Sequence, residues 1–255
     1  MPWSKVSASA RDAVADVTDG ASIAVSSFAG PGGMPHFLLL ALWEQGAKDL
    51  TLIGNTGGVT MISGLGSPGG RRFIDHSILV QSGRVKKVIA SYPVHPRPSV
   101  TTALEQALRD GSAEVELTPM GTLVERMRAA GAGIPAFYTP TGVGTEVERG
   151  KEKRSFDGRE YLLERALRPD YAFVRAWKAD TMGNIVYRKS SRAFGPVMVA
   201  AARVAIVEVD EVVEPGALAP EVITTPALYV DRIVVRPKDE TAITDEGFRG
   251  LAQHG

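Results

Sequence analysis

Between Asp19 and Pro35 the chain reads DGASIAVSSFAGPGGMP, a short apolar run that stops at a glycine-dense loop and passes at once into a helical pattern. A strand, a backbone loop sized for a phosphate or an oxyanion, and a helix N-terminus in that order bring main-chain N–H groups to a ligand. Gly30, Gly32 and Gly33 let the backbone approach a substrate with no Cβ in the way. An ordinary strand-to-helix turn produces the same letters, so this stretch alone leaves both readings open.

The remaining reactive side chains narrow the chemistry mostly by exclusion. Cysteine is absent, which removes a disulfide framework, a thiol nucleophile and any thiolate-held metal or iron–sulfur cluster. His36, His76, His95 and His254 lack ligand-like spacing and read as surface or hydrogen-bonding residues, so no metal is expected. With 29 basic and 29 acidic side chains there is no net field to attract nucleic acid or an anionic membrane. No apolar run approaches a membrane span or a secretory leader, and cytoplasmic residence is the expectation.

These loops need a frame. Helical and strand-like segments alternate along all 255 residues, the pattern of an α/β protein with an open, mainly parallel sheet and helices on both faces. The spacing predicts helices near 5–17, 35–45, 99–109, 121–130 and 196–202, and strands at 22–27, 50–54, 85–90 and 113–117. Further strands are expected within 170–180, 184–192 and 204–213. Two stretches read as ligand-facing loops rather than regular structure: 54–70, with seven glycines, and 131–147, which mixes glycine, proline and threonine. The charge-rich 148–160 reads as a solvated peripheral hairpin and the polar segment after Arg236 as a frayed tail, giving one domain over 1–238 and a tail over 239–255.

The order of the longer blocks is more specific than any single loop. After DGASIAVSSF come VELTPMGTLVERMRAAGAGIPAFYTPTGVGT, FDGREYLLERAL, DYAFVRAWKADTMGNIVYRKSSRAF and VEVDEVVEPGALAPEVI. In content and order they resemble the A (alpha) subunit of family I CoA-transferases over nearly the whole chain. The resemblance implies the family's NagB/RpiA-like α/β fold, a B (beta) subunit of the same architecture, and assembly as an α2β2 heterotetramer. It also implies transfer of CoA between an acyl-CoA and a free carboxylic acid such as a 3-oxo acid, with coenzyme A as substrate and no cofactor. In that chemistry a glutamate carboxylate attacks the thioester and passes through an acyl-glutamyl anhydride to a glutamyl-CoA thioester, which the second acid takes apart. The glutamate belongs to the B subunit. No catalytic residue is expected here, and Glu44, Glu105, Glu114 and Glu116 read as helix-surface or strand-edge carboxylates. What the resemblance assigns to this chain is a binding wall with oxyanion donors at the subunit interface. Its candidates are Phe28, Ala29, Gly30, Gly32 and Gly33, then Asn55, then Met120 and Gly121 in the Thr118–Gly121 stretch.

Three stretches depart from the family pattern. Ser26 and Ser27 stand where two glycines are usual, and the loop after Phe28 is one residue longer; these hydroxyls read first as partners for neighbouring backbone groups. Met120 replaces the glutamine of Leu-Thr-Pro-Gln-Gly, exchanging an amide donor for a flexible apolar thioether. Tyr92–Pro98, YPVHPRP, stands in place of a Gly-Glu-Asn segment, with Arg97 read as an exposed loop arginine. Met120 and the altered 92–98 segment keep open a CoA-thioester or ring-cleaving hydrolase on the same scaffold. A non-catalytic scaffold partner is the third reading.

Overall fold

Runs such as SIAV, YAFVR and VAIVEV are apolar on both sides of the pleat, which suits strands covered by helices above and below. The computed structural model describes residues 4–27, 30–58, 72–95 and 99–254. Its strands are β1 (Ser22–Val25), β2 (Leu50–Thr56), β3 (Val85–Tyr92), β4 (Glu114–Leu117), β5 (Ala136–Thr139), β6 (Lys153–Phe156), β7 (Arg159–Arg165), β8 (Tyr171–Arg175), β9 (Lys178–Asp180), β10 (Ile185–Val186), β11 (Val204–Val209), β12 (Glu211–Val213) and β13 (Arg232–Val235). The helices are α1 (Ala10–Val14), α2 (His36–Gln45), α3 (Ser77–Gln81), α4 (Ala103–Asp110), α5 (Met120–Gly131), α6 (Gly195–Ala201) and α7 (Asp245–His254).

Seven strands pair in parallel in the order β13-β11-β8-β1-β2-β3-β4. The chain builds outward from β1 to β4, then returns to the other side of β1 to lay down β8, β11 and β13. The direction of growth therefore reverses between β1 and β8, and the crevice beyond the carboxyl ends of the strands at such a point is where open α/β sheets bind ligands. Two three-stranded sheets, β10-β9-β12 and β5-β7-β6, stand apart from the main one.

One face of the main sheet packs Ile23, Val25, Leu52, Val88 and Phe173 against α1 to α4 and Phe248 of α7. The other packs Ala24, Ile53, Ile89, Ala172 and Val174 against α5 and α6. Every residue of α2 from His36 to Leu42 is buried, as a helix apolar all round requires, and each of its leucines contributes about 1.5–3 kcal/mol of burial. Between α5 and α6 the backbones touch: a Cβ at Gly131 would come 2.9 Å from the carbonyl oxygen of Ala200.

Several expected boundaries move for identifiable reasons. Instead of a helix over 5–17, α1 opens only at Ser9, whose hydroxyl accepts from the Asp12 N–H, while Val6 bridges to Ile233 along the sheet edge. The strands expected over 170–180 and 204–213 each divide, because the chain leaves the main sheet at Ala176 and at Asp210 and re-pairs as β9 with β12. Only two residues of 184–192 are strand. The stretch 131–147 holds β5, paired with β7. The 148–160 hairpin forms as expected, with Asp157 and Gly158 both left-handed at its turn. Beyond Arg236 the chain does not fray: Ile243 and Phe248 are buried, and the Phe248 ring meets Trp43 edge-on at 5.0 Å.

Candidate active site

At the carboxyl edge of the parallel sheet the strand order sets out, from one side to the other, Glu208 at the end of β11, Arg175 on β8, the loop after β1, Asn55 on β2, Ser91 on β3 and Thr118–Gly121 after β4. Neighbouring strands lie about 4.8 Å apart, so the span from the glycine loop to Met120 is roughly 14 Å.

The glycine loop is clamped at both ends. Gly30–Gly33 forms a single 3-10 turn. Ser26 Oγ donates to the Gly33 carbonyl at 2.8 Å and accepts the Arg175 N–H at 2.9 Å, closing the loop and tying it to β8. The hydroxyl thus serves neighbouring backbone, as its position suggested. At the far end Glu208, fully buried, accepts the N–H groups of Phe37 at 2.9 Å and Leu38 at 3.1 Å. Arg236 pairs with the same carboxylate, reaches Glu240 at 2.7 Å and lies over the Phe37 ring. The partial positive charge at the start of α2 is therefore met by an internal anion, and these helix N–H groups are not offered to a ligand. That corrects the expectation for this helix terminus; the loop backbone remains.

Burial pushes the Glu208 carboxyl above its ordinary value against the opposing pull of Arg236 and Arg175. Burial, with the same two arginines, holds His36 well below the usual 6.5, so its ring is neutral. His36, His76 and His95 are all buried rather than on the surface, and His76 Nε2 lies 2.8 Å from the Thr56 carbonyl oxygen.

Among the candidates, Phe28 and Ala29 lie outside the described residues, as does Arg97. Gly32 and Gly121 share a property: a Cβ at either would meet open space, and neither has the left-handed backbone that favours glycine. Nothing among the described residues calls for glycine at these two exposed positions, which lie at the carboxyl end of the sheet. Gly58 differs, being left-handed at +89° with a Cβ that would fall 2.5 Å from Ser77. Met120 heads α5 and is 37% exposed, behind a cap residue, Pro119, that supplies no side-chain hydrogen bond. Among the described residues, Asn55 Oδ1 is buried without a partner, as are Ser27 Oγ, Ser91 Oγ, Ser77 Oγ and the Nδ1 atoms of His36 and His76. Buried polar atoms are nearly always paired, so this concentration at the ends of β1 to β3 and the starts of α2 and α3 marks a polar site. The carboxylates read as non-catalytic are mostly engaged: Glu44 with Arg11, Glu105 in the capping box with Thr102, Glu116 with Lys87 and Arg126. Glu114 is exposed on the edge strand.

The Coenzyme A transferase family model matches residues 7–236. The chain belongs to the coenzyme A transferase family. It is 43% identical over 239 residues to a Bacillus subtilis protein named as the A subunit of a probable succinyl-CoA:3-ketoacid coenzyme A transferase, covering 94% of this chain and 93% of that one. It is 45% identical over 226 residues to the A subunit of the 3-oxoadipate CoA-transferase of Pseudomonas putida, covering 89% and 91%. Among solved structures, glutaconate coenzyme A-transferase from Acidaminococcus fermentans shares the fold at a TM-score of 0.77 and 20% identity, over 98% of this chain and 88% of that one.

At the carboxyl end of the sheet the arrangement gathers loop backbone and polar side chains, with the charges of Glu208 and Arg236 paired beneath them. Sequence reasoning missed Glu208, Arg236 and Arg175; the signal for Glu208 was a single charge inside the apolar run VAIVEV. It also gave too little weight to the turn Lys189–Arg192, which packs against Gly30–Gly33.

Proposed function

We propose that this chain is the A subunit of a two-subunit transferase that moves CoA between an acyl-CoA and a free 3-oxo acid, working with a B subunit in an α2β2 assembly. The B subunit supplies a glutamate that attacks the thioester carbonyl and expels the CoA thiolate. The thiolate then attacks the resulting anhydride, freeing the first acid and leaving glutamyl-CoA, which the second acid converts to the new CoA ester. Splitting the exchange this way replaces one difficult displacement by easier ones. Coenzyme A is substrate throughout, and the scheme requires no cofactor.

The observation that carries this reading is the likeness, at 43% identity over 94% of the chain, to a subunit named for that reaction. The site agrees with it in two respects. Gly32 and Gly121 leave the ligand-facing edge open, and the carboxylates Glu116 and Glu208 are tied into ion pairs, which suits a nucleophile brought by another chain. In this assignment the loop after β1, Asn55, Met120 and Gly121 form the wall that binds the acid and stabilises developing oxyanions. Among the described residues no helix is long and apolar enough to cross a membrane, and the cytoplasm is the proposed place of action.

The test is to co-express the chain with its candidate B subunit and incubate the complex with a panel of acyl-CoAs, with and without acetate, succinate or a 3-oxo acid. The expected result is a new CoA ester that appears only with the acceptor, together with a B subunit whose mass rises by bound CoA when the acceptor is withheld. Free CoA without acceptor assigns the complex to the hydrolase reading instead.

A further inference from the structure

Ala24, Ile53, Ile89 and Glu116 stand side by side on β1 to β4, and the first three pack into the core against α5 and α6. Side chains alternate along a strand, so two residues further on the same face carries Ser26, Asn55, Ser91 and Thr118, a polar row at the carboxyl end of the sheet. The two outer members are engaged. Ser26 gives its hydroxyl hydrogen to the Gly33 carbonyl at 2.8 Å, and Thr118 Oγ1 receives Arg126 Nη1 at 3.4 Å. The two inner members are not: Asn55 Oδ1 and Ser91 Oγ are buried and, among the described residues, unpaired. An acceptor and a donor thus occupy neighbouring strands about 4.8 Å apart, within reach of a single hydrogen bond.

We infer that Ser91 is a positioning residue for Asn55: its hydroxyl donates to Oδ1 and so fixes which way the amide faces. The inference rests on the transferase reading, in which Asn55 belongs to the binding wall. An asparagine amide is planar, with its acceptor and its donors on opposite sides, and the groups around it decide its orientation. Ser26 has no hydrogen left for Oδ1 and Thr118 lies a strand beyond Ser91, so the row offers Oδ1 the Ser91 hydroxyl as donor. With the oxygen turned toward β3, the Nδ2 hydrogens turn toward β1 and its glycine loop, the side on which the transferase reading places the acid and its developing oxyanion. Reversed, the amide would set its oxygen against that charge. The pair stands open in the structure, and hydrogen bonds of this kind tighten when a site closes around its substrate.

Asparagine occurs in this chain only at 55 and 184, which makes the amide directly readable. The chain is produced with asparagine enriched in heavy nitrogen and assembled with unlabelled B subunit, and the side-chain NH2 signals are recorded by NMR. Asn184 is the internal reference, since its Nδ2 donates to Asp180 at 2.7 Å and its Oδ1 accepts the Ala227 N–H at 2.9 Å. Ser91→Ala should shift the Asn55 signals and leave those of Asn184 in place, whereas Ser91→Thr, which keeps the hydroxyl, should move neither. Asn55 signals unmoved by Ser91→Ala overturn the inference. In turnover, Ser91→Ala should lower kcat about tenfold with KM unchanged, Ser91→Thr should recover most of that loss, and in an Asn55→Ala background Ser91→Ala should cost nothing further. Equal losses in both backgrounds overturn the inference as well. If Ser91→Ala does not assemble with the B subunit, Ser91→Cys, which fills the same space with a weaker donor, takes its place under the same outcomes. A wild-type complex that transfers CoA from no donor sinks the transferase reading by itself, and the NMR comparison then decides whether Ser91 orients the amide.

Discussion

Glu208 and Arg236 form a buried ion pair pressed against the first turn of α2, with the carboxylate bridging the guanidinium and two helix N–H groups. A buried pair adds little over a well-packed apolar replacement, but removing one partner strands the other. Glu208→Ala leaves two helix N–H groups unsatisfied and Arg236 with only the more exposed carboxylates of Glu240 and Asp210, and should cost about 3 kcal/mol in a urea melt. Glu208→Gln, which retains an acceptor, should cost measurably less.

Ser26 and Ser27 are adjacent hydroxyls with opposite expected behaviour. Ser26→Ala breaks two bonds and leaves the Arg175 N–H and the Gly33 carbonyl without their partner, a loss of about 1–3 kcal/mol. Ser27 Oγ makes no hydrogen bond among the described residues, so Ser27→Ala should leave the melting midpoint unchanged or raise it while lowering transfer activity. Comparable destabilisation by both substitutions would contradict this assignment.

Gly121→Ala separates folding from function. Alanine in the first turn of α5 meets no neighbour, so the substitution should stabilise the chain by about 0.5–1 kcal/mol. The added methyl occupies open space in the proposed binding wall, and the complex with its B subunit should turn over more slowly. A variant both more stable and fully active would move the substrate away from α5.

His36 gives the protein a pH dependence of definite sign. Its folded value lies well below 6.5, so as pH falls through 6.5 the unfolded ring takes up a proton that the folded ring refuses. The stability from this residue is complete above 6.5 and declines below it, by at most about 1.4 kcal/mol per pH unit. Denaturation of the wild type and of His36→Gln between about pH 7.5 and about 5 checks this, since the variant should show the flatter slope. Identical slopes would mean that His36 is not held neutral.

The parts legible in the sequence were those with local causes. The strand, glycine loop and helix of Ser22–Gln45 followed from apolar runs bounded by glycine and proline, and α4 from its apolar spacing, although the Thr102–Glu105 capping box, which that spacing does not include, starts it at Ala103 instead of near 99. The order of long blocks carried the family, because many residues in sequence are harder to match by chance than one loop. The frayed tail failed because Phe248 packs on Trp43, far earlier in the chain, and the letters of a short amphipathic helix do not name the surface that will cover it. The long strands over 170–180 and 204–213 failed because periodicity does not mark where a chain leaves one sheet for another.

What the sequence by itself determined was the alternation of elements, the absence of thiol chemistry, and family membership. Tertiary structure decided that the growth of the sheet reverses between β1 and β8, that the α2 terminus is neutralised from within by Glu208, and that the 188–192 cations lie beside the glycine loop. The reason is physical: propensity and capping act over a few residues, whereas Glu208 meets Phe37 across 171 positions and Arg175 meets Ser26 across 149. Only strand pairing brings such residues together, and a single sequence does not display it.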